Sequence, residues 1–309
     1  MCRVQTVEAL YQHTSLVALA SMRGFGLLAG LQMMRAGAII ARRGRSSLVS
    51  APWLKDNLGD PKLRVLDVTQ VLDRSTNTVA PAVDTYMTSH VPGARFVDVG
   101  GRLSTPNPKL HNLGAFLRQT FDLSRRWRAG GDTIDAFVHT APSPEQFAAE
   151  LSRQGVDDDS HVVLYSSSKV MWATRVWYLL TSFGFEGEVS VLDGGLKAWT
   201  RAGGGTVSGV EPKPTPTTLP IRQARYRAFV DKDDVLKAIE EGDRTIVDTL
   251  KPASFKAEKP SRYGRRGHIR TAVNVPYTSL LDEAGCFLPE PELRRALAGV
   301  AENEPVLAY

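Results

Sequence analysis

LRVLDVT at residues 63–69 and RTIVDTL at residues 244–250 are the two stretches that decide the fold. Each is a short apolar run with an aspartate at the same place, Asp67 in the first and Asp248 in the second. Runs of this length and composition are typical of buried strands in a parallel sheet. Because the same strand recurs far along the chain, the sequence predicts a duplicated domain.

Two further repeats follow in the same order. HVPGARFVDV (90–99) is echoed by HIRTAVNVPY (268–277), and SHVVLYSSS (160–168) is echoed by NEPVLAY (303–309). Amphipathic helical patterns alternate with these strands, which favours α/β architecture with a parallel sheet flanked by helices in each copy. We therefore predict two α/β domains of one kind.

The spacing between repeats sets the domain boundaries. The first copy is assigned to residues 47–203 and the second to residues 226–309, joined by a Gly-then-Pro linker at 204–225 whose prolines favour an extended, semi-rigid backbone. His90 and Tyr165 lie 75 positions apart, whereas His268 and Tyr309 lie 41 apart. The difference predicts an insertion near 108–140, either lineage-specific or a gene-model artefact, with a binding loop as the alternative.

Residues 1–46 have the composition of a leader. Residues 1–50 contain six arginines, no lysine and one acid, Glu8, which accounts for the whole net charge of +5. The remainder of the chain is neutral, so a basic nucleic-acid surface is not supported and no nucleic-acid partner is expected.

The leader is rich in Arg, Ser and Ala, a composition typical of a mitochondrial presequence. We expect a mitochondrial protein, with a cytoplasmic protein carrying a mis-assigned leader as the alternative, since Met22, Met33 and Met34 could also be starts. Arg23 and Arg35 interrupt the apolar run, so no membrane span is predicted.

Cysteine and histidine usage excludes two classes of site. The chain has only two cysteines, Cys2 and Cys286, which lie in different regions and do not define a disulfide scaffold. The six histidines show no paired spacing of the kind that metal sites use. No metal and no cofactor are expected.

Four stretches identify a family. HVPGARFVD (90–98), MWATRVWYLLTSFGF (171–185), VSVLDGGLKAW (189–199) and RYGRRGHIRTAVNVP (262–276) occur in one order on a duplicated α/β unit. In this the chain resembles the tandem rhodanese family of thiosulfate and 3-mercaptopyruvate sulfurtransferases, from about Leu48 to Tyr309. The resemblance implies two rhodanese-like domains, of which the second is catalytic.

The resemblance also implies a chemistry. A cysteine thiolate takes a sulfane sulfur from a small anionic donor, holds it as a persulfide and passes it to a thiophilic acceptor. In the family this cysteine opens a Gly-rich loop directly after the strand that matches PVLAY, which is the position after Tyr309. Since these 309 residues do not include it, we expect the chain to be C-terminally truncated and inactive, with a marginal second domain and an open strand edge.

Two residues of this sequence come nearest to replacing the nucleophile. Ser166 holds the equivalent place in the first domain, but a hydroxyl cannot carry a persulfide. Its loop could still bind an anion with Lys169, the alternative being a plain helix cap and turn. Cys286 precedes Phe-Leu-Pro rather than a Gly-rich turn into a helix, so no catalytic role is expected for it.

Substrate-binding arginines are implied by the segment before GHI. Arg262 is the best positional match, with Arg265 and Arg266 as fallback candidates for gripping an anionic donor. Ser254 stands where the family has a further arginine, which puts a mercaptopyruvate preference in doubt. We expect His268 and Asp193 to hold turns rather than to contact substrate.

A function of a different class remains open. A rhodanese-like pair without a nucleophile could serve as a non-catalytic module that binds an anion or a protein partner. The sulfur donor, the acceptor and the oligomeric state do not follow from the sequence. A monomer is expected, because tandem rhodaneses cover their cleft within one chain.

Overall fold

The computed structural model describes residues 17–19, 47–73, 78–104, 141–224, 228–259, 266–300 and 305–309. Up to Arg201 the elements are β1 (Val17–Leu19), β2 (Leu48–Val49), α1 (Ala51–Asn57), β3 (Leu63–Asp67), β4 (Gln70–Asp73), β5 (Thr78–Pro81), α2 (Val83–Thr88), β6 (Arg95–Phe96), α3 (Pro144–Arg153), β7 (His161–Tyr165), α4 (Met171–Ser182), β8 (Glu188–Leu192) and α5 (Gly195–Arg201). From Phe229 onward they are β9 (Phe229–Val230), α6 (Lys232–Glu241), β10 (Thr245–Asp248), α7 (Pro252–Phe255), β11 (Val273–Asn274), a 3₁₀ turn (Tyr277–Leu280), α8 (Glu290–Ala296) and β12 (Val306–Ala308).

The strands form two five-stranded parallel sheets, and this confirms the predicted fold class. The first sheet has the order β2-β8-β7-β3-β6, and the second has the order β9-β1-β12-β10-β11. β4 and β5 form a separate antiparallel hairpin. We call the two sheets with their helices the first and second units.

The central strands of the two units end alike. The Tyr165 hydroxyl accepts a hydrogen bond from the Val91 amide at 3.3 Å, and the Tyr309 hydroxyl accepts one from the Ile269 amide at 2.7 Å. Tyr165 is the last residue of β7 and Tyr309 directly follows β12, and each of these strands lies beside the one that carries the matching aspartate. The duplication read from the sequence is therefore present down to single hydrogen bonds.

A histidine turn is repeated in the same way. His90 stacks on Tyr86 with ring centroids 3.9 Å apart, and His268 stacks on Phe255 at 3.6 Å. The His268 ring nitrogen Nδ1 lies 2.8 Å from the Phe255 carbonyl oxygen. His268 thus holds the turn into β11, as the sequence predicted.

The first strand of the chain departs from the sequence reading. β1, from the segment assigned to the leader, pairs in parallel with β12 on one side and with β9 on the other. The expected open edge beside β12 is therefore wrong, because a segment distant in sequence covers it. Hydrophobic periodicity reports only local structure and could not identify this pairing.

Helix ends follow the local sequence. The Ser50 hydroxyl accepts a hydrogen bond from the Trp53 amide to cap α1, and Ser143 caps α3 in the same way through Gln146. Asp231 and Asp234 form a reciprocal capping box at the start of α6, which ends at Gly242 with φ of 62°. Each of these caps satisfies amide groups that the first turn of a helix cannot pair internally.

Helix α4 lies between the units and joins their cores. Its aromatic residues are buried, with Trp177 only 1% exposed and Tyr178 fully buried. The Tyr178 hydroxyl donates to the Ala228 carbonyl at 2.6 Å, and its ring meets that of Phe229 edge-on at 5.8 Å. The largest hydrophobic cluster accordingly contains residues of both units.

The segment between the units runs along the first unit. Thr217 donates its amide to the Ser152 carbonyl at 3.1 Å, and Arg222 forms a bidentate ion pair with Asp158. The predicted insertion at 108–140 lies outside the described residues. Over the described part of the chain, no helix has the length and apolar character needed to cross a membrane.

Candidate active site

The carboxyl end of β7 leads into a serine loop, residues 166–170, which is anchored to the neighbouring strand. The Ser167 amide donates to the Thr69 hydroxyl at 2.9 Å, and the Ser168 hydroxyl donates to the Gln70 carbonyl at 2.7 Å. The Ser166 hydroxyl accepts from the Ser168 amide at 3.2 Å, so it orders the loop. α4 starts directly after Val170 without a side-chain cap.

The DGG turn after β8 closes on this loop. Gly195 has φ of 57°, and a Cβ atom there would overlap the Ser166 carbonyl oxygen. Only glycine combines that backbone conformation with so close an approach. The turn therefore fixes the position of the serine loop, and this gives the LDGG motif a structural purpose.

A cavity of about 190 Å³ lies between this loop and the second unit. Its lining includes Ser166, Lys169 and Lys197 from the first unit and Tyr277 and Glu283 from the second. Two cationic groups and one anionic group thus border this pocket at the start of α4, beside apolar side chains such as Val170 and Leu281. The positive end of the helix dipole and the lysines together favour a small anion there.

The aspartates of the two repeats hold the turns that follow the matching strands. Asp67 accepts hydrogen bonds from the amide and hydroxyl of Thr69, and Asp248 accepts one from the Leu250 amide at 2.7 Å. Burial raises the pKa of the Asp67 carboxyl above its ordinary value of 3.8, against the bonds from Thr69. These carboxylates shape the sheet edge and are buried away from the cavity.

In the second unit the equivalent place is the end of β12. The Tyr309 amide donates to the Val247 carbonyl at 3.0 Å, and the Tyr309 carbonyl accepts from the amide and hydroxyl of Thr249 at 3.1 and 2.7 Å. Burial raises the pKa of the Tyr309 phenol. The carboxyl ends of parallel strands are where α/β proteins place their ligand sites, and Tyr309 marks this point.

The three predicted arginines are placed unevenly. Arg262 and Arg265 lie outside the described residues, whereas Arg266 is described and exposed, two positions before His268. Ser254, at the position where the family has a further arginine, lies in α7 beside Phe255. The structure thus describes one of the three candidates and leaves their role in donor binding a prediction.

Cys286 lies at the junction of the units, away from both strand ends. Burial raises the pKa of its thiol, and the carboxylates of Asp193 and Asp282 raise it further, while Arg201 lowers it. A raised pKa keeps the sulfur as a thiol at neutral pH, the reverse of what a nucleophile needs. Cys286 is the one cysteine among the described residues.

Asp193 joins the two units. Its carboxylate oxygen accepts the Phe287 amide at 2.9 Å, so it bridges to the second unit in addition to shaping its own turn. Burial raises the pKa of Asp193, and the Phe287 amide opposes that change. The sequence reading placed Asp193 in a turn but gave no signal for this contact across the units.

Residues of the second unit that border the cavity were also missed. Tyr277 ends the repeat HIRTAVNVPY, so the echo located it on the strand edge but not against the serine loop. No cluster of His, Cys, Asp and Glu suited to a metal ion occurs within the described ranges.

Comparison with known proteins agrees with this architecture. The model of the rhodanese-like domain matches residues 50–202. The 3-mercaptopyruvate sulfurtransferase of Escherichia coli K12 is 31% identical over 268 residues, which cover 84% of this chain and 82% of that protein. The human 3-mercaptopyruvate sulfurtransferase is 28% identical over 257 residues, covering 80% and 75% respectively.

A further relative is the Arabidopsis thaliana thiosulfate/3-mercaptopyruvate sulfurtransferase 1, named as mitochondrial, which is 26% identical over 84% of this chain and 66% of its own length. Among solved structures, that of SseA from Escherichia coli superposes with a TM-score of 0.65 at 27% identity, covering 85% of this chain and 88% of that one. With its duplicated sheets and these similarities, the chain belongs to the tandem-domain rhodanese family, the family of the 3-mercaptopyruvate and thiosulfate sulfurtransferases.

Proposed function

We propose that the protein is a sulfurtransferase of the thiosulfate/3-mercaptopyruvate type, whose reaction passes through a cysteine persulfide. The observation that carries this proposal is the matched end of the central strands at Tyr165 and Tyr309 in a family of sulfurtransferases. The position after Tyr309 is the one that the resemblance gives to the nucleophile. In the first unit the same position holds Ser166.

The sulfur-transfer step balances without a cofactor. A cysteine thiolate attacks the outer sulfur of the donor, and an S–S bond forms on the enzyme. The bond that held this sulfur, S–S in thiosulfate or C–S in mercaptopyruvate, breaks with its electron pair on the leaving group. With thiosulfate the leaving group is sulfite, and with mercaptopyruvate it is pyruvate after protonation of carbon. A thiophilic acceptor then takes the outer sulfur and returns the thiolate.

Arg262, Arg265 and Arg266 are the proposed donor-binding residues, because guanidinium groups hold carboxylates and thiosulfate by charge-assisted hydrogen bonds. Replacing Arg266 by Gln in the active full-length enzyme should raise KM for the anionic donor and leave the acceptor step unchanged. Arg270→Gln, another exposed arginine nearby, is the matched control. Equal effects of both variants would contradict a specific role for Arg266.

On this proposal, the 309-residue chain by itself has no sulfurtransferase activity. Cys286 is held as a thiol at neutral pH, and Ser166 cannot form a persulfide. Turnover of thiosulfate with cyanide, and of mercaptopyruvate with a dithiol, should therefore not exceed the rate without protein. If turnover occurs and Cys286→Ser abolishes it while Cys2→Ser does not, the nucleophile is Cys286 and the proposed site is wrong.

A second candidate, a non-catalytic anion- or protein-binding module, is favoured by the cavity between the units. Lys169 and Lys197 border it at the start of α4. Titration of the chain with sulfite or thiosulfate, followed by tryptophan fluorescence, tests anion binding there. Loss of binding in Lys197→Gln, but not in the exposed Lys251→Gln, would support the module; absence of binding by the unaltered chain would argue against it.

Localisation and assembly are further parts of the proposal. The Arg-rich composition of residues 1–46 and the mitochondrial relative support a mitochondrial protein, with the cytoplasm as the alternative. The domain boundaries 47–203 and 226–309, and a monomeric state, complete it. Import of a reporter fused to residues 1–46, and the mass of the chain in solution, test the first and the last of these.

A further inference from the structure

Residues 280–288 form a small hairpin, here called the arm, which follows the 3₁₀ turn of the second unit. Leu281 and Phe287 form an antiparallel bridge, and the Leu288 amide donates to the Leu280 carbonyl at 3.0 Å. Gly285 lies in the tip of the hairpin with φ of 81°, a conformation that glycine adopts without strain. Leu280 is buried in the hydrophobic core, so the base of the arm is fixed.

The DGG turn of the first unit holds the arm. The Asp193 carboxylate accepts a hydrogen bond from the Phe287 amide at 2.9 Å, and a bond of this kind to a charged group is stronger than one between neutral groups. The Asp193 amide donates to the Val49 carbonyl at 3.0 Å, which ties the turn to β2. A Cβ atom at Gly194 would overlap the Cys286 sulfur, so the arm packs directly on the turn.

The other end of the arm is bound to the end of β12. The Tyr277 amide donates to the Thr249 carbonyl at 3.2 Å, and the Thr249 hydroxyl and amide donate to the Tyr309 carbonyl at 2.7 and 3.1 Å. The Asn274 side chain donates to the carbonyl groups on either side of Thr249, at 3.1 and 2.9 Å. Hydrogen bonds and the arm thus connect Asp193 of the first unit to the Tyr309 carbonyl of the second.

We propose that Asp193 is a positioning residue for the sulfur-transfer reaction: through the arm and Thr249 it fixes Tyr309, and with it the nucleophile that follows. This inference rests on the proposed function, which gives the nucleophile the position after Tyr309. Asp193 bonds neither the donor nor the nucleophile. The first unit, which has serine at the matching position, then contributes to catalysis by orienting the second.

The effect should fall on the chemical step rather than on donor binding. A nucleophile that is misplaced by about 1 Å can lose about a hundredfold in rate. The proposed donor-binding residue Arg266 precedes β11 and takes no part in the hydrogen bonds between Asp193 and Tyr309. Loss of the Asp193 carboxylate is therefore expected to change kcat much more than KM.

Single-turnover persulfide formation from thiosulfate in the full-length enzyme tests this expectation. Asp193→Ala should slow the step by about tenfold, part of the loss that misplacement can cause, and leave KM within about twofold. Asp193→Asn keeps an oxygen that can accept the Phe287 amide and should retain most of the rate. Asp60→Ala is the matched control, since Asp60 accepts the Lys62 amide at 2.8 Å within the first unit alone. Equal rates in Asp193→Ala and the unaltered enzyme, or an equal loss in Asp193→Asn, would overturn the proposal.

A double-mutant cycle tests the route. Thr249→Val removes the hydroxyl that bonds the Tyr309 carbonyl. If Asp193 acts through Thr249, the combined variant should lose less rate than the product of the two single losses, because both changes release the same residue. Losses that multiply in full would reject this route.

Amide hydrogen exchange of the 309-residue chain tests the positioning apart from the reaction. In Asp193→Ala the Tyr277 and Tyr309 amides should exchange faster than in Asp60→Ala, while amides of α6 change less. If the two tyrosine amides respond but the full-length enzyme forms no persulfide, the proposed function is wrong although Asp193 still positions Tyr309. If the persulfide forms and these amides do not respond, the positioning role is wrong and the proposed function stands.

Discussion

Thr271 provides a sharp test of the duplicated architecture. It has φ of 71°, in the left-handed region, and it occupies the place of Gly93, whose φ is 75°, in the matching turn of the first unit. A residue with a side chain pays about 1–2 kcal/mol for that conformation. Replacing Thr271 by glycine would remove this strain, but glycine loses more backbone freedom on folding, which cancels about 0.5–1 kcal/mol of the stabilisation. Since Thr271 is exposed, its side chain gives up little packing.

Thr271→Gly should therefore stabilise the second unit by about 1 kcal/mol, a factor of about five in the opening equilibrium. The assay is amide exchange in β10 and β12, because the tryptophans of the described residues all lie in the first unit. Thr271→Ala is the control, since it keeps a Cβ at positive φ and should bring little gain. The reciprocal Gly93→Thr should weaken the first unit by about 1 kcal/mol, the same balance of strain and glycine entropy in reverse, because a Cβ there meets no atom within 4 Å and adds no clash. Equal gains from Thr271→Gly and Thr271→Ala would refute the reasoning.

Three other changes test the site and the joint between units. Tyr309→Phe removes the bond to the Ile269 amide and should cost the second unit about 1 kcal/mol, seen as faster exchange there, while Tyr165→Phe affects the first unit instead. Asp67→Asn should make the free energy of unfolding of the first unit, measured in urea, depend less on pH. Because the folded-state pKa of Asp67 is raised, this free energy falls as pH rises from 3.8 through that pKa. If the variant shows the same change of unfolding free energy with pH, Asp67 is not its cause. Asp193→Ala removes the hydrogen bond from the Phe287 amide and should weaken the contact between the two units by about 1–3 kcal/mol, so that they unfold separately. Asp282→Ala is the control and should leave the units coupled, because the Asp282 carboxylate accepts a hydrogen bond from the Cys286 amide within the second unit only.

Local sequence was enough to predict the fold class. Strands such as β3 and β10 carry their identity in five to seven residues, and the matched tyrosines and histidines report the same tertiary contacts twice. Trp172, Trp177 and Tyr178 are all buried although they lie on different sides of α4, because both units pack around this helix.

Contacts between distant segments were not predictable. β1 pairs with β12 and β9, which lie at the other end of the chain, and the Asp193 carboxylate accepts a hydrogen bond from the Phe287 amide of the second unit. Backbone pairing of a three-residue apolar segment leaves no period to read, and an aspartate in a turn looks the same whether it bonds its own loop or another. The donor-binding arginines Arg262 and Arg265 lie outside the described residues, so their place in the site remains a prediction.

The most direct test of the proposed sulfurtransferase is the identity of the residue that the gene encodes directly after Tyr309. Sequencing the transcript across that codon should show a cysteine that opens a Gly-rich loop, at the position that aligns with Ser166 when Tyr309 is matched to Tyr165. A stop codon or any other residue there would contradict the account, because the described residues hold no thiol suited to carry the persulfide.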